Sequence, residues 1–269
     1  MQSTSKILMV RPVNFGFNEQ TSQNNAFQVE GFQEGAAQGA IEEFDIFVDM
    51  LREEGVEVVV IEDTPQPHTP DSIFPNNWFS THKGGTLVLY PMFAPNRREE
   101  RKPAPLEYLK TLKGLKRVVD LTNFEEKNRF LEGTGSMVLD RESKLAFACR
   151  SSRTEQEVLE EFCAELGYSY FLFNSFDQEG TPVYHTNVMM SVCTHFVIAT
   201  LDSITDMGER ADFIALAEER DREVIEISLE QMAEFAGNMI ELKGKDGTLF
   251  LVMSLMARES LSPQQIGKM

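Results

Sequence analysis

Residues 135–174 read GSMVLDRESKLAFACRSSRTEQEVLEEFCAELGYSYFLFN. Two apolar runs flank the polar turn 141–143, which predicts a pair of antiparallel strands. Apolar residues then recur at helical spacing, at Val158, Leu159, Phe162 and Leu166. We expect this helix to follow an N-cap at Ser152 or Thr154. A final apolar run, YSYFLFN, completes a unit of strand, strand, helix and strand.

The same order of elements recurs on both sides of this segment, at a period of roughly fifty residues. Residues 78–120 contain WFSTH, TLVLYP, a helical segment and KRVVDL. Residues 183–227 contain VYHTNVMMSV, HFVIATL, a helix from about Asp206 to Glu219, and REVIEI. This repeat predicts an α/β-propeller of ββαβ modules that forms a single domain over residues 1–269.

The two ends of the chain carry partial copies of the repeat. Residues 6–61 supply strand, helix and strand, one strand short of a module. A further copy begins at residue 236 and reaches the start of a helix, with Ser262 as the N-cap and Pro263 at the first helical position. We therefore expect the last module to be incomplete and to lack a closing strand. An open mixed sheet, which needs no closure, is the alternative.

Composition narrows the choice of partner and compartment. Lys and Arg total 25 against 43 Asp and Glu, a net charge of −18. Such an acidic chain is not expected to bind nucleic acid or an anionic membrane. The first apolar stretch, residues 7–10, is too short for a signal peptide, and no stretch approaches the length of a membrane helix. The cytosol is the expected compartment, and three cysteines argue against a disulfide framework.

Unusual polar residues fall in or beside weakly patterned stretches, at residues 11–32, 62–77 and 91–104. In PDSIFPNNWFS, Asp71 and Asn77 crowd against the lone tryptophan, Trp78, and residue types alone favour a Pro/Asn turn beside a core tryptophan over a site. Glu132 precedes Gly-Thr-Gly and an apolar strand. It is either a solvated loop acid or a carboxylate held in a cleft, and the glycines lack the dinucleotide-binding pattern.

Four further polar residues are candidates for a site. His185 opens the apolar run YHTNVMMSV, and Asn187 would share its face if the run alternates as a strand. Arg97 begins a polar segment after PMFAPN, and Arg153 lies in CRSSRT just ahead of a predicted helix. A surface cation is the ordinary interpretation of each. Cys193 and His195 form one pair of possible metal ligands two residues apart. Since no second pair occurs at zinc spacing, we expect no metal.

Seven segments together carry a family resemblance: MVRPVNFGFN, PDSIFPNNWFSTH, YPMFAPNRR, FLEGTGSMVLDR, ACRSSRT, YHTNVMMSV and FAGNMIEL. In this order they resemble the superfamily of amidinotransferases, arginine deiminases and dimethylarginine hydrolases, and most nearly its citrulline-utilisation hydrolases. The resemblance implies a propeller of five ββαβ modules, known as the pentein fold. It also implies attack of a Cys thiolate on a guanidino or ureido carbon, without metal or organic cofactor.

The resemblance assigns catalytic roles by position. His185 matches the general acid/base, which would protonate the leaving amine and later activate water. Glu132 matches the carboxylate that binds and orients the head-group nitrogens. Asp71 and Asn77 match the loop that holds the head group.

Three further residues match the substrate-binding positions. Arg97 and Arg153 match arginines that bind the substrate α-carboxylate, for which a planar guanidinium is suited. Relatives that bind cationic arginine usually carry Asp at the position of Asn77, and arginine deiminases also carry Asp at the position of Asn187. An amide suits a neutral ureido group, so the sequence favours citrulline, which would give ornithine, ammonia and carbon dioxide.

The nucleophile is the main departure from the family. In the family it lies near the C-terminus, and none of Cys149, Cys163 and Cys193 matches it. We therefore expect the segment with the nucleophile to be missing, with Cys193 the least implausible substitute. The alternatives are an amidinotransferase and a binding propeller without catalysis. The expected partner is a small amino-acid substrate, and a homo-oligomer is left open.

Overall fold

The structure is a computed structural model that describes residues 1–22 and 35–269. Its strands are β1 (Lys6–Arg11), β2 (Glu57–Glu62), β3 (Phe79–His82), β4 (Thr86–Leu89), β5 (Arg117–Asp120), β6 (Met137–Asp140), β7 (Leu145–Cys149), β8 (Ser169–Phe173), β9 (Met190–Val192), β10 (Phe196–Ala199), β11 (Glu223–Glu226), β12 (Ile240–Lys243) and β13 (Leu249–Val252). They form several small sheets.

The α-helices are mostly short. They are α1 (Glu19–Ser22), α2 (Ala36–Glu53), α3 (Pro95–Arg98), α4 (Pro103–Lys110), α5 (Gly133–Ser136), α6 (Gln156–Leu166), α7 (Thr186–Met189), α8 (Met207–Glu218), α9 (Leu229–Ala233), α10 (Leu255–Ser260) and α11 (Pro263–Ile266). Short 3-10 helices cover Pro75–Asn77, Thr122–Lys127 and Leu201–Ser203. In the part of the chain that the structure describes, no helix combines the length and apolarity needed to cross a bilayer.

One arrangement recurs in the sheets β3-β4-β5, β6-β7-β8 and β9-β10-β11. The first two strands pair antiparallel, and the third lies parallel to the second. A parallel neighbour requires a crossover, which α4, α6 and α8 supply. The ββαβ modules predicted from the sequence are thereby confirmed, as is the α/β class of the fold.

The ends of the chain form smaller sheets. Strand β1 pairs parallel with β2 around helix α2, and β12 pairs antiparallel with β13. Thr4 forms a parallel bridge with Leu242, and its carbonyl accepts a hydrogen bond from the Lys243 backbone N–H at 3.0 Å. Residues 23–32 of the first weakly patterned stretch lie outside the described residues.

The chain divides into two compact units. The N-terminal unit comprises Ser5–Gly133 and Gly244–Asp246, and the C-terminal unit comprises Met1–Thr4, Thr134–Lys243 and Gly247–Met269. Each has its own apolar core, around Trp78, Phe79, Leu87, Met92 and Leu109 in the first and around Cys193, Phe196, Ile198, Ile225 and Ile227 in the second. A single domain over residues 1–269 stays a prediction.

Two local predictions are wrong. Helix α6 begins at Gln156 after Glu155, not after Ser152 or Thr154, and no side chain caps it. Thr154 instead closes a turn in which its backbone N–H donates to the Ser151 carbonyl at 3.1 Å. The other error is the strand expected over residues 183–192, because Thr186–Met189 is a helical turn and only Met190–Val192 is assigned as strand.

The predicted start of the last helix is confirmed. Ser262 caps it in a capping box with Gln265, and Pro263 occupies the first turn. Such a cap satisfies backbone N–H groups that have no partner inside the helix.

Gly133 is a position where the fold requires glycine. Its φ is +45°, and a Cβ there would lie 2.3 Å from the Asn76 carbonyl oxygen. We expect Gly133→Ala to lower the free energy of unfolding by about 1–3 kcal/mol. Gly39→Ala is the matched control, since a methyl group at this position in helix α2 would meet no atom of residues 1–22 or 35–269 within 4 Å. It should raise stability by about 0.5–1 kcal/mol in denaturant unfolding; equal effects of both changes would contradict the packing argument.

Candidate functional site

In the N-terminal unit, the loop before β3 carries Asp71 and Asn77, both buried. One oxygen of Asp71, Oδ2, accepts hydrogen bonds from Asn18 Nδ2 at 2.7 Å and from Thr21 Oγ1 at 3.3 Å. Asn18 Oδ1 in turn accepts from Asn96 Nδ2 at 2.7 Å. The carboxylate is therefore held in place by polar side chains from the segments around residues 18–21.

Arg97, on the short helix α3, is buried with a guanidinium that faces this loop. It donates to both oxygens of Glu100, from Nε at 2.7 Å and from Nη2 at 3.0 Å. It also donates to Asn77 Oδ1 at 2.8 Å and to the Phe74 carbonyl at 3.2 Å. Its Nε lies 3.8 Å from Asp71 Oδ2. Arg97 thus holds the loop through protein partners, and its role as a ligand of the substrate α-carboxylate stays a prediction.

Glu132 is completely buried, so the simpler interpretation of a solvated loop acid is wrong. Its Oε1 accepts a hydrogen bond from the Phe93 backbone N–H at 2.9 Å. The next residue, Gly133, has a positive φ, so the backbone changes direction immediately after Glu132. A carboxylate placed in this way has a defined direction before any ligand is present.

Three acidic residues interact with one buried guanidinium in this part of the N-terminal unit. Asp71, Glu100 and Glu132 surround the single guanidinium of Arg97, and we refer to these four residues as the acidic cluster. Burial raises the pKa of Glu100 to about 8; Arg97 opposes this rise, while Asp71 and Glu132 add to it. The cluster therefore favours a bound proton or another cation.

In the C-terminal unit, the ring of Tyr184 contacts two predicted site residues. The Arg153 guanidinium lies 4.8 Å from the ring centroid of Tyr184, and the His185 ring lies 4.6 Å from it on centroids. Arg153 and His185 are both buried. The Tyr184 ring thus contacts both the predicted carboxylate ligand and the predicted acid/base.

Hydrogen bonds hold the backbone around Arg153, Tyr184 and His185. The Ser136 hydroxyl donates to the Arg153 carbonyl at 2.6 Å, and the Ser151 hydroxyl donates to the Tyr184 carbonyl at 2.8 Å. Thr186 links the end of helix α5 to the end of strand β7, because its hydroxyl donates to the Ser136 carbonyl at 2.6 Å and accepts from the Cys149 backbone N–H at 2.8 Å.

Asn187 lies in the helical turn α7 and is half-buried. The alternation that was expected to place it on one strand face with His185 does not exist, since His185 is the residue that precedes the turn. A role for Asn187 in binding substrate stays a prediction without this geometric support.

All three cysteines are buried and free. Burial raises the pKa of Cys149 to about 11 and the pKa values of Cys163 and Cys193 to about 12. Cys193 packs in the apolar core of its unit. Because the thiolate is the attacking form of cysteine, none of the three is prepared as a nucleophile. Among the described residues, no group of three or more His, Cys, Asp or Glu is arranged to hold a metal ion.

Three residues of these arrangements were not anticipated from the sequence. Glu100 lies in a charged run, RREE, in which nothing distinguishes it from its neighbours. Asn18 lies in the segment MVRPVNFGFN, which does stand out as part of the family pattern. Tyr184 directly precedes His185, and this adjacency is the signal that could have identified it.

Comparison with known proteins gives a family and a fold. The family model for N,N dimethylarginine dimethylhydrolase, eukaryotic, matches residues 11–269. No curated protein matches the chain. Among solved structures, the N-terminal domain of ArgZ, an arginine dihydrolase from the ornithine-ammonia cycle in cyanobacteria, was obtained as a cysteine-to-serine mutant bound to substrate. It superposes with a TM-score of 0.71 at 17% identity, covering 94% of this chain and 86% of that chain.

Two further solved structures have the same fold. A cysteine-to-alanine mutant of AgrE with L-arginine has a TM-score of 0.70 at 20% identity and covers 87% of this chain, which spans 32% of AgrE. A cysteine-to-serine mutant of dimethylarginine dimethylaminohydrolase (DDAH) from Pseudomonas aeruginosa, complexed with citrulline, has a TM-score of 0.61 at 14% identity. It covers 100% of this chain and 95% of that chain.

The modules and the superpositions define the class: an α/β protein with the pentein fold of arginine and dimethylarginine hydrolases. Within that class, the chain belongs to the N,N dimethylarginine dimethylhydrolase family, which consists of C–N hydrolases that act on arginine-like substrates.

The raised pKa of Glu100 predicts a dependence of stability on pH. Between its ordinary pKa of 4.5 and the folded value of about 8, the folded state holds a proton that the unfolded state releases. The stability that comes from this group is therefore complete below pH 4.5 and is lost as the pH rises through 8. Glu100→Gln has no such proton, so its free energy of unfolding should fall less steeply from pH 5 to pH 8 in urea titrations. Identical slopes for parent and variant would contradict the assignment.

Proposed function

We propose that this protein hydrolyses a C–N bond in the guanidinium group of an arginine-like amino acid. The observation that carries the proposal is the acidic cluster, in which the buried carboxylates of Asp71 and Glu132 outnumber the one buried guanidinium even when Glu100 carries its proton. A second guanidinium, supplied by a substrate, would offset the excess negative charge. Membership of a dimethylarginine hydrolase family supports the same substrate class.

Each candidate residue has a role in this proposal. Glu132 and Asp71 accept hydrogen bonds from the head-group nitrogens and orient the reacting carbon. His185 gives a proton to the nitrogen that leaves as the C–N bond breaks, and later takes one from the attacking water. Arg153 binds the α-carboxylate of the substrate with its guanidinium, which Tyr184 holds by ring contact.

The attacking group is assigned to none of the three cysteines. Their thiols are buried with raised pKa values, which leaves little thiolate near neutral pH. The solved structures of ArgZ, AgrE and the Pseudomonas aeruginosa enzyme are cysteine mutants with bound substrate, L-arginine or citrulline. These mutants support attack by cysteine in this fold. They also retain a bound ligand without the cysteine, so substrate binding and turnover are tested separately.

One observation favours citrulline as a second substrate. Asn77 Oδ1 accepts a hydrogen bond from Arg97 Nη1 at 2.8 Å, so the side-chain amide presents its N–H donors, and not its oxygen, away from Arg97. Such donors suit a ureido oxygen better than a guanidinium cation. Citrulline hydrolysis to ornithine, ammonia and carbon dioxide is therefore the alternative reaction.

A panel of substrates tests the proposal. The chain is incubated with dimethylarginine, L-arginine, L-citrulline and agmatine, and citrulline, ornithine, dimethylamine and ammonia are measured. Citrulline formed from dimethylarginine or arginine would support the guanidinium reaction, and ornithine formed from citrulline would support the alternative. Glu132→Gln and His185→Ala should each lower turnover by about two to four powers of ten. Near-normal rates in either variant would contradict its role.

A binding protein without turnover is the second candidate function, and the three buried thiols favour it. Calorimetric titration with L-arginine separates it from the enzyme, because saturable binding with no product in the panel would identify it. Absence of both binding and turnover would contradict the proposal and this candidate together.

Arg153 can be tested through the carboxylate that it is proposed to bind. Agmatine lacks that group, so the parent should bind L-arginine more tightly than agmatine. Arg153→Ala should remove most of this preference, about tenfold or more in Kd, since a charge-assisted hydrogen bond contributes roughly 1.5–3 kcal/mol. The control is Arg150→Ala, because Arg150 is exposed and donates to Gln156 at 3.0 Å. An unchanged preference in Arg153→Ala would rule out this role.

A further inference from the structure

Helix α2 of the N-terminal unit carries apolar side chains on the face that points away from the core. The residues of α2 that are buried in the core are Phe44, Val48 and Leu51. Because each residue of a helix advances by about 100°, Ile46 and Met50 face the opposite side, one turn apart. They are 62% and 58% exposed. The core does not use these two side chains, so their exposure marks this face as a candidate contact surface.

Acidic residues surround this apolar pair. Four exposed carboxylates lie on the same side of the helix, at Glu42, Glu43, Asp49 and Glu53. Asp49 Oδ1 lies 3.7 Å from Arg52 Nη1, whereas Glu43 and Glu53 form no ion pair with another described residue. A second copy of the same face would bring like charges together and is therefore not its partner. The acidic helix face is the name we give to Glu42, Glu43, Ile46, Asp49, Met50 and Glu53.

The N-terminal unit also has a basic surface, although the chain as a whole is acidic. Residues 108–119 contain four cations and no acidic residue. The turn that carries Lys83 packs against this segment, because the Gly85 carbonyl accepts hydrogen bonds from the backbone N–H groups of Lys116 at 2.7 Å and Arg117 at 3.2 Å. The basic strip is the name we give to the exposed residues Lys83, Lys113, Lys116, Arg117 and Val118.

The charges of the basic strip are available to a partner. Lys83, Lys113 and Lys116 form no ion pair with another described residue. Strand β5, which carries Val118, is an edge strand of its sheet, and cations at a sheet edge disfavour pairing with a further strand. The complement of the strip is therefore a surface of side chains that is acidic around an apolar centre.

We propose that two copies of this chain associate, with the acidic helix face of one copy against the basic strip of the other. The carboxylates of the helix face pair with the ammonium groups of the strip, while Val118 packs against Ile46 and Met50. The charges of the two surfaces are complementary, and both surfaces belong to the same unit, so the contact needs no second kind of protein. Because it joins different surfaces, it closes as a symmetric pair when formed twice and otherwise adds further copies.

The net charge of the chain sets the strength of this contact. Two copies that each carry a charge of −18 repel one another at a distance. At physiological ionic strength the Debye length is about 8 Å, so the charges that face each other dominate over those farther away. We therefore expect a weak, reversible association that depends on salt, and not a permanent oligomer.

Sedimentation velocity of the 269-residue chain tests the association directly. The chain is measured at concentrations up to roughly 0.1 mM, in the range where weak contacts are populated. In about 0.15 M NaCl we expect the sedimentation coefficient to rise with protein concentration. In about 1 M NaCl the Debye length falls to about 3 Å, and the Kd should be at least about fivefold weaker.

Charge reversals locate the two surfaces. Glu43→Lys on the helix face and Lys116→Glu on the strip each replace attraction by repulsion and should weaken the Kd by about tenfold. Glu161→Lys and Arg258→Glu are the matched controls, because they change the net charge equally at exposed positions of the C-terminal unit. Both controls should associate like the parent. Circular dichroism confirms that each variant is folded.

Mixing the two reversals tests whether the surfaces bind each other. In a mixture of Glu43→Lys and Lys116→Glu chains, the intact strip of the first meets the intact helix face of the second. The mixture should therefore associate at least about fivefold more tightly than either variant alone. Met50→Ser leaves every charge in place and removes apolar contact, so it should weaken the Kd of the parent by about fivefold.

Any of three results overturns the proposal. A parent chain that stays monomeric at roughly 0.1 mM would leave the basic strip to a different acidic partner. Association that is unchanged in Glu43→Lys or in Lys116→Glu would place the contact elsewhere. A mixture no tighter than its components would mean that the two surfaces do not meet. If one reversal fails to fold, Met50→Ser and the salt dependence decide, and an unchanged Kd in both overturns the proposal.

Discussion

The N-terminal unit depends on the burial of one guanidinium. Removing Arg97 from water is costly unless every donor that it carries finds an acceptor. Glu100 accepts two of its hydrogen bonds, and Asn77 and the Phe74 carbonyl accept others. These acceptors come from separate segments of the chain, so satisfying Arg97 also sets the position of the loop that carries Asp71.

The same burial creates the electrostatic character of the site. One positive charge is surrounded by Asp71, Glu100 and Glu132, and burial leaves little solvent to screen them. The remaining negative charge is what an arginine-like head group would complement. Structural and recognition roles therefore fall on the same residues, because a fixed array of buried charges can act as both support and binding surface.

In the C-terminal unit, ring contacts and hydroxyl hydrogen bonds position the candidate residues. Tyr184 contacts Arg153 and His185 through its ring, and hydroxyl groups of Ser136, Ser151 and Thr186 hold the surrounding backbone. These hydroxyls donate to main-chain carbonyls in a turn, in a loop and at the end of helix α5. Small sheets end often, and each end exposes carbonyl and N–H groups that side chains must satisfy.

The sequence by itself determined the ββαβ modules, because strand alternation and helical periodicity are local patterns that each segment carries independently. It also identified Asp71, Glu132, Arg153 and His185 as candidates through the family pattern. Only the tertiary structure decided that Arg97 faces Glu100, that Thr186–Met189 is helical, that Tyr184 links Arg153 with His185, and that all three thiols are buried. These outcomes depend on which distant groups meet and how much water they lose, and neither quantity is present in a local pattern of residues.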